Sequence, residues 1–169
     1  MLIWNTNNFI NFKTTLRSDP KKSLIVKQVE FVIVVRRTKI LGIAITVGII
    51  VIYLAGLFVA DSNFIENFEF VNLISLLQLL LTIPLSFYVK KIILDKTDLS
   101  NFTTKYFNAH VIPFMMLDFG ALFCITTNLF VNGNILYASI GVLISVISMV
   151  MILPKEEDFE KIRSSFTES

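Results

Sequence analysis

The chain has 169 residues, of which 54% are hydrophobic and 17% charged, with a formal net charge of +2. Soluble domains carry about a quarter charged residues, and their apolar positions recur at a helix or strand period because each element keeps one wet face. Long uncharged apolar blocks argue instead against a soluble helical bundle, which needs polar outer faces, and against a membrane barrel, whose strands alternate over about ten residues.

Residues 1–39 come first as a polar and basic segment holding Lys13, Arg17, Lys21, Lys22, Lys27, Arg36, Arg37 and Lys39. It lacks the basic start, apolar core and small-residue cleavage site of a signal peptide. Leu24 to Val35 is mostly apolar but contains Lys27, Gln28 and Glu30. Such a run is too short to span and is expected to lie in the membrane interface or to pair as a strand. A translation start near Val35, with the preceding residues an over-long reading frame, is an open alternative.

The first span follows at about 40–60, with no charge from Ile40 to Ala60. A loop bearing Asp61, Glu66 and Glu69 leads into the second span, about 70–90. A loop with Lys90, Lys91, Lys96 and Lys105 precedes a long apolar stretch that the turn Asn132-Gly133-Asn134 divides into spans of about 109–131 and 135–154. Each span meets the requirement of about 20 apolar residues for a hydrocarbon core of about 30 Å. In lipid such segments must be helical, because every backbone N–H and C=O has to be bonded internally. The tail, 155–169, mixes both signs and reads as a short exposed amphipathic helix.

All fifteen Lys and Arg fall on one side of this layout. The positive-inside rule puts that side, with both termini, in the cytoplasm, and the expected location is the cell (inner) membrane. Tyr88 and Tyr106 are expected at the cytoplasmic boundary, Tyr137 at the outer one and Tyr53 inside.

The spans also suggest a duplication. Gly48-Ile49-Ile50 and Leu57-Phe58-Val59 align with Gly120-Ala121-Leu122 and Leu129-Phe130-Val131, and Ile83-Pro84 with Leu153-Pro154. The expected fold is therefore all-α, a polytopic membrane protein whose four transmembrane helices form two parallel-repeat hairpins. Small residues mark the expected packing stripes: Ala44, Gly48 and Ala55 on the first helix, and Ala138, Gly141, Ser145 and Ser148 on the fourth. Packing within the bundle is one role for such a stripe, and an oligomer interface is the other.

Asp118 is the one residue singled out for chemistry, because an acid near mid-span is costly and marks a functional hypothesis. Its expected partners are Gln78 in the second span, Thr46 in the first and Ser145 in the fourth. Three roles compete: a protonated structural acid, proton or ion coupling, and contact with another subunit. His110 reads as a boundary residue. The sole cysteine, Cys124, lies within the third span and cannot form an intramolecular disulfide. One histidine and one cysteine do not make a metal site of ordinary ligand count, and no phosphate loop or nucleophile motif is present. No cofactor and no nucleic-acid partner is expected. The expected partners are the lipid bilayer and either a larger membrane complex or a homo-oligomer.

From Lys90 to Ile162 the layout resembles a group of short four-helix bacterial membrane proteins without an assigned activity. The resemblance rests on the basic inner loop, on Leu117-Asp118-Phe119-Gly120-Ala121-Leu122-Phe123, on the Asn-Gly-Asn turn, and on a proline followed by a charged tail. It implies a fold and no reaction. A duplicated hairpin with one buried acid is also similar in outline to the proteolipid c subunits of rotary ATPases. Two departures count against that function: Asp118 is on the first helix of its hairpin, not the second, and the Gly-rich first helix is missing. A small non-enzymatic structural or accessory subunit is the leading expectation, and a proton- or ion-coupled transporter using Asp118 is the alternative.

Overall fold

The computed structural model describes residues 20–59, 69–96 and 101–158. The described residues are helical apart from short turns. Helix α1 is Pro20–Val59, α2 is Glu69–Asp95, α3 is Phe102–Ile125 and α4 is Ile135–Ile152. Between α3 and α4, residues Thr126–Val131 carry the third helix onward as a π-helix. All four helices are long and apolar enough to cross a membrane. Their outer surface is apolar too: Phe58, Phe70, Leu81, Met115 and Leu143 are each more than half exposed. A soluble helix would put polar groups there.

The first helix is longer than the span it contains. At 40 residues it runs about 60 Å, roughly twice the hydrocarbon thickness. Pro20 starts it at a position where proline's missing N–H costs nothing. No other proline interrupts the chain before Pro84, so the helix of the apolar span extends back through Leu24–Val35. This segment is part of one continuous helix and not a strand. Its far end is packed, with Phe31 and Val35 buried against Phe102 and Tyr106 at the start of α3.

The third helix is the hub. It packs on α1, α2 and α4, most extensively on α2, whereas α1 and α2 barely touch. The first two helices thus stand apart, while α3 and α4 pack together. Small residues explain the difference. Ala109, Gly120, Ala121 and Cys124 are buried on α3 and admit neighbours on several sides. At Gly141 of α4 the approach is closest, since an added Cβ would overlap the Cys124 Sγ.

The two predicted stripes have different fates. On α4, Ala138, Gly141, Ser145 and Ser148 are all buried, as packing within the bundle requires. On α1 the stripe faces outward: Ala44 and Ala55 are exposed, and a Cβ on Gly48 would meet nothing within 4 Å. The bundle-facing row of α1 is instead Gly42, Ile49 and Gly56. The core beneath it centres on Phe114, Leu117, Ile125, Met149 and Ile152.

The Asn132-Gly133-Asn134 turn forms where the spacing predicts it. Gly133 has φ 60°, a left-handed conformation that costs other residues roughly 1–2 kcal/mol. The Asn134 side chain accepts a hydrogen bond from the Tyr137 N–H at 3.2 Å and caps α4. Gly133→Ala is expected to destabilise the bundle by about 1 kcal/mol, read as a lower midpoint when the purified chain is unfolded in mixed micelles. An unchanged midpoint would mean the turn relaxes freely. The fourth helix ends at Ile152 because Leu153, preceding Pro154, is pushed to an extended ψ of 136°.

Candidate functional site

The four residues expected to converge are not joined by hydrogen bonds among the described residues. Thr46 donates to the Gly42 carbonyl at 2.8 Å and lies 3.4 Å from Met149 Sδ. Ser145 is fully buried, and its Oγ has no hydrogen-bond partner. Gln78 buries an unpartnered Oε1. Among the described residues, Thr46, Gln78 and Ser145 included, none makes a hydrogen bond or ion pair with Asp118. Asp118 is half-buried at the edge of α3, between Met115, 63% exposed, and Phe119, 67% exposed. Its edge of the helix therefore looks out of the bundle. Helical phase explains this: the buried row Phe114, Leu117, Ala121 turns inward and carries Asp118, 100° on from Leu117, to the margin.

Two polar clusters form elsewhere, one at each end of the bundle. The first joins the start of α2 to the π-helical segment. Asn128 Nδ2 donates to Ser75 Oγ at 2.7 Å and to the Cys124 carbonyl at 2.8 Å. Ser75 Oγ in turn donates to the Asn72 carbonyl at 2.8 Å. The Asn128 amide takes a carbonyl that the helical ladder would otherwise use, and this kind of side-chain competition widens a helix locally. The widening carries into the cap: the Asn134 N–H reaches the Asn128 carbonyl and the Gly133 N–H the Leu129 carbonyl. Each bond spans one residue more than in an ordinary Schellman cap. Asn72, Ser75, Asn128 and Asn132 are all buried. Five of their amide atoms have no partner: both of Asn72, both of Asn132 and the Asn128 Oδ1.

The second cluster, at the opposite end, is better satisfied. Tyr106 is fully buried. Its hydroxyl donates to Asp158 Oδ2 at 2.8 Å, and its ring lies 4.8 Å from Phe31 and 4.4 Å from His110. His110 is also buried. Its Nδ1 donates to the Tyr106 carbonyl at 2.9 Å. A carbonyl only accepts, so Nε2 holds the free lone pair. Lys90 Nζ donates to the Ile152 carbonyl at 3.2 Å and caps the end of α4. The start of the tail is held against the bundle by these bonds and by an exposed Arg36–Glu156 pair at 3.6 Å. Tail residues 159–169 lie outside the described residues.

Sequence reasoning missed both clusters. The signals were present as polar residues one turn apart inside apolar spans, Asn72 with Ser75 and Asn128 with Asn132. A single ionisable acid drew attention away from uncharged amides. No family model, curated protein or solved structure matches the chain.

Proposed function

We propose that this chain is a small non-enzymatic accessory or structural subunit of a membrane assembly, with the Asp118 edge of α3 seated against another helix. The supporting observation is a mid-span acid that is half-buried on the outer margin of the bundle and has no hydrogen bond or ion pair among the described residues. Ionisable residues within a membrane almost always face protein or a polar cavity. The outward Ala44–Gly48–Ala55 stripe favours the same reading, because small residues let a neighbouring backbone approach closely. In this proposal the basic ends face the cytoplasm of a cell whose inner membrane the chain crosses four times, as two hairpins inserted in the same sense. The duplication itself rests on the sequence matches alone.

Purification in mild detergent with mass measurement tests the reading. The wild-type chain should run with a partner, either further copies of itself or a different membrane protein. Asp118→Asn keeps a hydrogen-bonding group and should retain the partner. Asp118→Leu should weaken the association about fivefold, corresponding to about 1 kcal/mol for a hydrogen bond between helices in lipid. A wild-type chain that runs alone sinks the proposal. If Asp118→Asn instead abolishes a pH-dependent ion flux in proteoliposomes, the transporter reading replaces it.

A further inference from the structure

We propose that the cluster of Asn72, Ser75, Asn128 and Asn132 is a binding site for a dehydrated monovalent alkali cation. The proposal rests on buried, unpartnered polar groups that the bundle itself leaves unsatisfied. Asn72 and Ser75 lie one turn apart on α2, and Asn128 of the π-helical segment lies one widened turn before its C-cap, Asn132. Because α2 and the third helix run antiparallel, the Ser75–Asn128 hydrogen bond aligns the next turn outward on each. That turn holds Asn72 on one side and Asn132 on the other. None of the four side chains is more than 1% exposed. A buried amide without a partner costs roughly 1–3 kcal/mol, and here three amides share that penalty in one place. Such a concentration calls for something that binds amide groups.

The donor set selects the ligand. Every oxygen in the cluster is neutral, whether amide, hydroxyl or carbonyl. Hard divalent cations need carboxylates, and no group of three His, Cys, Asp or Glu gathers among the described residues. Neutral oxygens at a distorted helix end are the arrangement that holds alkali cations in membrane proteins. The Asn72 and Asn132 amides have no hydrogen-bond partner among the described residues, so either can turn its oxygen inward. The sign of the charge follows from the neighbouring sequence: Asp61 and Glu66 lie between α1 and α2, Glu69 is the first residue of α2, and residues 60–69 include no Lys or Arg. This end of the molecule draws in cations and repels anions.

The test is the melting temperature of the full chain in detergent at constant ionic strength, with NaCl or KCl replacing choline chloride. Saturable stabilisation by Na⁺ or K⁺ is expected, about 5 °C between none and 100 mM. Asn132→Ala breaks no hydrogen bond within the described chain, so it should fold. It should raise the half-saturating concentration about tenfold, the equivalent of one lost ligand. Asn132→Asp adds a negative charge and should lower the half-saturating concentration. A melting temperature that is the same in choline, Na⁺ and K⁺ overturns the proposal and leaves ordered water as the partner of these amides. So does an equal alkali effect in wild type and both variants.

Discussion

Tyr106→Ala is expected to lower the stability of the folded bundle by about 3–5 kcal/mol, the usual cost of truncating a buried aromatic. The ring is fully buried and sits at the junction of three elements. Phe31 of α1 meets it edge-on at 4.8 Å, Phe102 lies 5.9 Å away, and His110 packs at 4.4 Å. Its removal therefore opens a cavity where α1, α3 and the start of the tail meet. Tyr106→Phe keeps the ring and loses the hydroxyl's bond to Asp158 and its longer one, 3.4 Å, to the Lys155 carbonyl. It should cost about 1 kcal/mol, and it should release the tail to protease before the bundle unfolds. Unfolding midpoints in mixed micelles compare the two variants. Equal losses would assign the stability to the hydroxyl rather than to the packed ring. The same cluster makes Phe31 part of the fold, so a chain beginning near Val35 should melt lower than the full one.

Gly141→Ala is the second large effect, expected at about 1–3 kcal/mol from overpacking. The new methyl would overlap the Cys124 Sγ, and Leu79 Cδ2 lies 3.6 Å away. Three helices meet at this point, so none can retreat without losing contact with another. The clash names its own remedy. Cys124→Ala removes the sulfur and leaves a Cβ 3.4 Å from the added methyl, an ordinary contact. The double variant Gly141→Ala/Cys124→Ala should recover most of the loss, because residues in direct contact do not act additively. A double variant as unstable as the sum of the two single changes would show that α4 does not approach α3 at Gly141.

The amide cluster and the aromatic cluster share a physical origin. Both lie at helix ends, where carbonyls or amides lack helical partners. At one end Lys90 and Asp158 satisfy such groups with charge. At the other, uncharged asparagines leave five atoms open. A charged side chain reaches water by lengthening out of the apolar region. Asparagine is too short to do so, and Asn72 and Asn132 stay with their helix ends in the buried interior.

Sequence by itself determined the number of helices, the turn at 132–134 and the inward face of α4. These follow from quantities carried along a single segment: the length of an uncharged run, a glycine at the one position with positive φ, and small residues in phase on one helix. Packing between helices could not be read the same way. A helix that is apolar all round has no preferred inward face, so Ala44–Gly48–Ala55 and Gly42–Ile49–Gly56 were equally eligible on α1. Only the tertiary structure chose the second row, because Phe114 of α3 fills the space opposite Gly42. It also left Asp118 at the margin of α3 without a partner among the described residues, and brought Asn128 to Ser75, 53 residues apart in the chain. Those outcomes depend on which helix becomes the hub, and that is settled by how closely backbones can approach, a property of pairs of helices rather than of any one.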